Sequence, residues 1–143
     1  MPSRPALSLL IIDDNPGSLE MLSSALAQRD LEILTASDPE EGVDLDQALT
    51  MVQRALQKLP NSPDISDTLG WVYIKKNLSE DAVRVLRDLV SKEPKNSTFH
   101  YHYGLALLQK GDKPSAKKEL DIAMKENPSK DEAGKIRELL ATI

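Results

Sequence analysis

Two histidines and one pair of aspartates are the residues of this 143-residue chain whose types and spacing suggest chemistry. His100 and His102 form an H-x-H pair. Residues two positions apart on a helix point in different directions, so this pair cannot easily chelate one ion. We therefore interpret both as ordinary helix residues. Asp13 and Asp14 form an acidic pair directly after the apolar run Leu7–Ile12, and they are the stronger candidates.

The rest of the sequence argues against catalysis. The chain has none of the common nucleotide-loop, nucleophile-elbow or zinc-protease motifs. It also has no cysteine, which excludes disulfides, thiolate zinc sites and a cysteine nucleophile. The formal charge is −5, with basic residues spread among carboxylates instead of forming a nucleic-acid surface. The N-terminal apolar run is far shorter than the ~20 residues of a membrane span. We predict a non-enzymatic, cytoplasmic protein that binds neither nucleic acid nor membrane.

A period of 34 residues runs through the second part of the chain. Pro60, Pro94 and Pro128 share this spacing, and so do Ala48, Ala82 and Ala116. Each full period contains two segments with apolar residues at helical spacing, 63–76 with 79–92 and 97–110 with 113–126. Ser62 before Pro63 is a helix start, and Ser79 is expected to cap the second helix. Ser129 with Glu132 predicts a capping box for a last helix, about 130–142.

These features resemble the tetratricopeptide repeat family. The stretch DTLGWVYIKKNLSEDAVRVLRDLVSKEPKN matches its Leu-Gly pair, the aromatic residue three positions later, the small residue in the second helix and the closing proline. The resemblance covers residues 46–143 and implies helical hairpins: a half repeat at 46–62, repeats at 63–96 and 97–130, and a capping helix at 130–142.

The first 45 residues predict a different fold. An apolar run, an amphipathic stretch and the β-rich run 31–35 together suggest a two-stranded parallel βαβ unit. This segment resembles the opening third of a bacterial response-regulator receiver domain. In that family the acidic pair after the first strand binds Mg²⁺, so the resemblance implies that Asp13 and Asp14 are metal ligands. The later receiver strands are missing, because a helical pattern follows Gly42 directly. The alternative is an acidic strand end without a metal.

The predicted fold class is therefore mainly α, with a half receiver-like βαβ segment at 1–45 followed by the repeat array at 46–143. Two strands alone are marginally stable. The first strand would have an exposed edge with unpaired backbone groups. We expect that strand, Leu7–Ile12, to pair with a second copy and form a homodimer. The alternative is that both strands pack on the first repeat helices of the same chain.

The repeat resemblance also implies a binding groove, because first helices line the concave face of such arrays. The residues expected there by register are Asp67, Trp71, Ile74, Lys75, Tyr101, Leu105, Leu108 and Gln109. Apolar anchors with a charged rim favour an apolar peptide or helix as partner. Alternatively, Trp71 and Leu105 pack inside the array. The predicted function is a protein-interaction module or scaffold without cofactor; the alternatives are a Mg²⁺- or phosphorylation-responsive module and a fusion of two gene fragments without a specific ligand.

Overall fold

The computed structural model describes residues 45–143, which form six helices and no strand. The chain divides into two compact units, Met1–Lys76 and Asn77–Ile143. In the first unit the described helices are α1 (Leu45–Lys58) and α2 (Pro63–Lys75). The second unit contains α3 (Ser79–Lys92), α4 (Ser97–Lys110), α5 (Lys113–Lys125) and α6 (Lys130–Ala141).

In the first unit, α1 and α2 form a helical hairpin around a small apolar core. Asp46 in the first turn of α1 forms an ion pair with Lys76, just beyond the end of α2, so the two helices run antiparallel. Small and branched side chains from both helices fill the space between them. The buried members are Ala48, Met51, Val52, Ala55, Ile65 and Val72.

In the second unit each helix packs on the next one along the chain. The hydroxyl of Ser97 on α4 donates to the carbonyl of Ala123 on α5 at 2.8 Å. At Gly104 on α4, a Cβ atom would lie only 2.8 Å from the Cγ of Leu120 on α5. The closeness of the two helices therefore requires glycine at this position.

Four of the helices begin at a residue whose side chain caps the first turn. Ser62 accepts a hydrogen bond from the backbone N–H of Ile65 at 3.3 Å, which confirms that expected start. Asn96, Asp112 and Ser129 cap α4, α5 and α6 in the same way. The expected cap at Ser79 is wrong: Ser79 is the first residue of α3, and Leu78 before it makes no side-chain cap bond.

The predicted fold class is wrong in its βαβ component. Helices account for all the regular secondary structure described, from Leu45 to Ala141. The segments predicted as strands, 7–12 and 31–35, lie outside the described residues. The prediction relied on short apolar runs, and such runs do not distinguish a strand from a buried helical segment by periodicity alone. The domain boundary at residue 45 stays a prediction.

Candidate protein-binding surfaces

The first unit presents an aromatic side chain and a cation together at the end of α2. The Nζ atom of Lys75 lies 5.0 Å from the ring centroid of Trp71, one helical turn earlier. Lys75 is exposed, whereas Trp71 and Ile74 are half-buried. A cation over an indole ring at an exposed site contributes about 0.5–1 kcal/mol. The pair therefore holds the face of the indole beside a positive charge at the surface.

Asp67, another residue expected in the groove, is fully buried in the same helix. Its neighbour Thr68 is also buried, and the Thr68 hydroxyl donates to the carbonyl of Asp64 at 3.1 Å. Sequence register alone placed Asp67 on an open face. The structure instead encloses its carboxylate, so Asp67 has little surface to offer a partner.

In the second unit, the expected groove residues lie close to the C-terminal helix. Tyr101 is only 5% exposed and belongs to one apolar cluster with Leu120, Ala123 and Ile136 of α6. Leu105 and Leu108 are half-buried and pack against the same cluster. Gln109 is exposed, and its Nε2 donates to the side-chain oxygen of Asn77 at 3.1 Å. The accessible part of this set is thus Leu105, Leu108 and Gln109.

His100, interpreted from sequence as an ordinary helix residue, makes two short polar contacts inside the second unit. Its Nδ1 lies 2.7 Å from Oε1 of Glu119 on α5, and its Nε2 lies 2.6 Å from the backbone carbonyl oxygen of Pro94. Burial lowers the pKa of His100, but the Glu119 bond, the Pro94 bond and the charges of Glu119 and Glu126 together raise the pKa above 6.5. No local sequence pattern signals this pair, because its members are 19 residues apart.

His102 points into different surroundings. Its side chain is fully buried, and its ring centroid lies 5.3 Å from that of Tyr101. Within residues 45–143, no group of three or more histidine, aspartate or glutamate side chains could hold a metal ion. The two histidines therefore do not form a joint site.

The remaining predicted sites lie outside the described residues. These are the acidic pair Asp13 and Asp14, with its Mg²⁺, and the dimer strand Leu7–Ile12; both stay predictions. Over the described part of the chain, no helix is long and apolar enough to cross a membrane.

Taken by itself, the succession of antiparallel helices with a 34-residue period defines a helical-repeat protein. The family model described as tetratricopeptide repeat matches residues 40–97 of the chain. A solved structure of MamA AMB-1 is similar with a TM-score of 0.56 and 21% sequence identity, over 94% of this chain and 85% of that chain. At this identity the likeness shows the fold. No curated protein sequence matches the chain.

These comparisons confirm the tetratricopeptide resemblance over the matched residues. The receiver resemblance of residues 6–45 has no support from them. The likeness to the MamA AMB-1 structure, which spans nearly the whole chain, also argues against a fold class that includes a βαβ unit.

Proposed function

We propose that this protein is a non-catalytic protein-interaction module that binds an apolar peptide or helix through the first helices of its repeats, α2 and α4. The observation that carries the proposal is the half-buried indole of Trp71 with the Lys75 ammonium over its ring. Tryptophan is enriched among the few residues that dominate binding energy at protein interfaces. A rim cation beside such an anchor favours a partner with acidic residues flanking its apolar face.

The burial pattern narrows the residues proposed for binding. Asp67 and Tyr101 are almost completely buried, so their part in binding would be indirect. On α2 the partner would contact Trp71, Ile74 and Lys75. In the second unit, the half-buried Leu105 and Leu108 beside the exposed Gln109 supply a separate apolar patch with a polar edge.

Selection of peptides on the immobilised full chain, followed by titration, tests this function. Trp71 is the single tryptophan of the chain, so its fluorescence reports directly on binding at α2. Lys75→Glu is the test variant, and Lys58→Glu is its matched control because Lys58 is an exposed lysine in the last turn of α1. Both variants make the same charge change on the same unit.

We expect a selected peptide to change Trp71 fluorescence and to bind Lys75→Glu about tenfold more weakly than wild type, as for loss of an important interface contact. Lys58→Glu should bind as wild type does. For the second unit, Leu105→Ala should weaken binding, provided that circular dichroism shows it folded. Equal binding by all variants, or a selection that yields no peptide, would reject the proposed function and favour a chain without a specific ligand.

A further inference from the structure

The imidazole of His100 connects three parts of the second unit. His100 lies in the first turn of α4, Glu119 lies on α5, and Pro94 belongs to the connection between α3 and α4. The two ring nitrogens lie 2.7 Å from the Glu119 carboxylate and 2.6 Å from the Pro94 carbonyl. The side chains of His100 and Glu119 are 6% and 14% exposed, so water has little access to these bonds.

Both partners of the imidazole are hydrogen-bond acceptors. A backbone carbonyl only accepts, and an ionised carboxylate also only accepts. A neutral imidazole carries one N–H, so one of its nitrogens would turn a lone pair towards an oxygen lone pair. Only the doubly protonated ring satisfies the Glu119 and Pro94 contacts together.

Opposing charges and burial act on this imidazole. Burial disfavours the positive ring, and so does its position in the first turn of α4, where the helix dipole is positive. The negative groups that act in the opposite direction are Glu119 on α5 and Glu126 directly after α5. The connection after α3 contributes the carbonyl of Pro94, which accepts from the ring. The protonated state therefore depends on α5 and on the α3–α4 connection together.

We propose that His100, Glu119 and the Pro94 carbonyl form a proton-dependent joint that fastens the α3–α4 connection to the α4–α5 hairpin. The joint is closed while the imidazole is protonated and loosens when the ring loses its proton. Thirty-four residues earlier, the equivalent positions carry Ser66 and Val85. The joint is thus a property of the repeat at 97–130 and not of the repeat pattern.

Nuclear magnetic resonance titration of the whole chain tests the joint. The chain has two histidines, so two imidazole signals are observed, and loss of one in His100→Gln assigns them. We expect the His100 signal to titrate above pH 6.5 in wild type, and about one pH unit lower in Glu119→Gln because a nearby opposite charge is lost. Glu138→Gln is the matched control, since Glu138 is an exposed glutamate on α6. A wild-type midpoint at or below 6.5 would overturn the proposal without any variant.

The backbone signals distinguish a joint from a merely buried histidine. The amide signals of Asn96 and Ser97 in the α3–α4 connection should shift with the same midpoint as the His100 ring, and this shift should vanish in His100→Gln. The amide of Asn127, after α5, serves as the internal reference. If the ring titrates while the connection does not respond, His100 is only a buried charge and the joint does not exist.

Discussion

The hydroxyl of Thr98 on α4 lies 3.0 Å and 2.9 Å from the two carboxylate oxygens of Glu132 on α6, to which it donates. The backbone N–H of the same Glu132 donates to the Ser129 hydroxyl at 3.1 Å. One residue therefore takes part in the cap of α6 and also joins α6 to α4. The predicted capping box is confirmed in its serine half, while the glutamate side chain reaches across to a neighbouring helix.

Glu132→Ala should weaken the attachment of α6, because a hydrogen bond to a charged group contributes about 1.5–3 kcal/mol. We expect lower resistance to urea and faster amide exchange along α6. Glu138→Ala, which removes an exposed glutamate from the same helix, should leave both measurements nearly unchanged. Similar exchange rates for α6 in the two variants would contradict the role of the Thr98–Glu132 bond.

Gly104 and Gly134 should respond in opposite directions to alanine. A Cβ at Gly104 would lie 2.8 Å from Leu120, whereas a Cβ at Gly134 would meet nothing within 4 Å. Gly104→Ala should therefore destabilise the second unit by about 1–3 kcal/mol through overpacking. Gly134→Ala, in the middle of α6, should stabilise by about 0.5–1 kcal/mol because alanine is the better helix former. Urea midpoints that move the same way would refute the close packing of α4 on α5.

Two serines that look alike in sequence should differ in their contribution to stability. Ser62→Ala removes a side-chain cap, which costs about 1 kcal/mol. Ser79 follows the cap position of α3, so Ser79→Ala should change the free energy of unfolding far less. Thermal melts of the two variants provide the comparison. An equal loss in both would mean that Ser79 caps α3 after all.

Stability should depend on pH through His100. The contacts with Glu119 and Pro94 raise its pKa above the unfolded value of 6.5 despite burial, which lowers it. The stabilisation is therefore complete below pH 6.5 and is lost as the pH rises through the folded pKa. We expect the difference in urea stability between wild type and His100→Gln to be largest near pH 6 and to shrink towards pH 9. A constant or growing difference would show that protonation of His100 does not stabilise the fold.

Local patterns were sufficient to predict the helices and their boundaries to within a residue or two. The 34-residue period, the prolines and the small residues report on helix starts, ends and close packing, all of which depend on neighbours along the chain. The helix expected at 79–92 is found with those bounds, and the one expected at 113–126 ends one residue earlier. The same local reasoning was wrong for the βαβ unit and for the Ser79 cap, where a short pattern fits more than one structure.

Contacts between distant residues were decided only by the tertiary structure. The sequence placed Asp67 and Tyr101 on an open face, but packing within the folded chain buries both. His100 and Glu119 are 19 residues apart, and nothing in either segment indicates that they meet. The sequence by itself determined where helices form, because helix formation depends on the spacing of nearby side chains. The fold decided which side chains remain accessible and which acceptors surround a buried imidazole, because those depend on how successive helices pack.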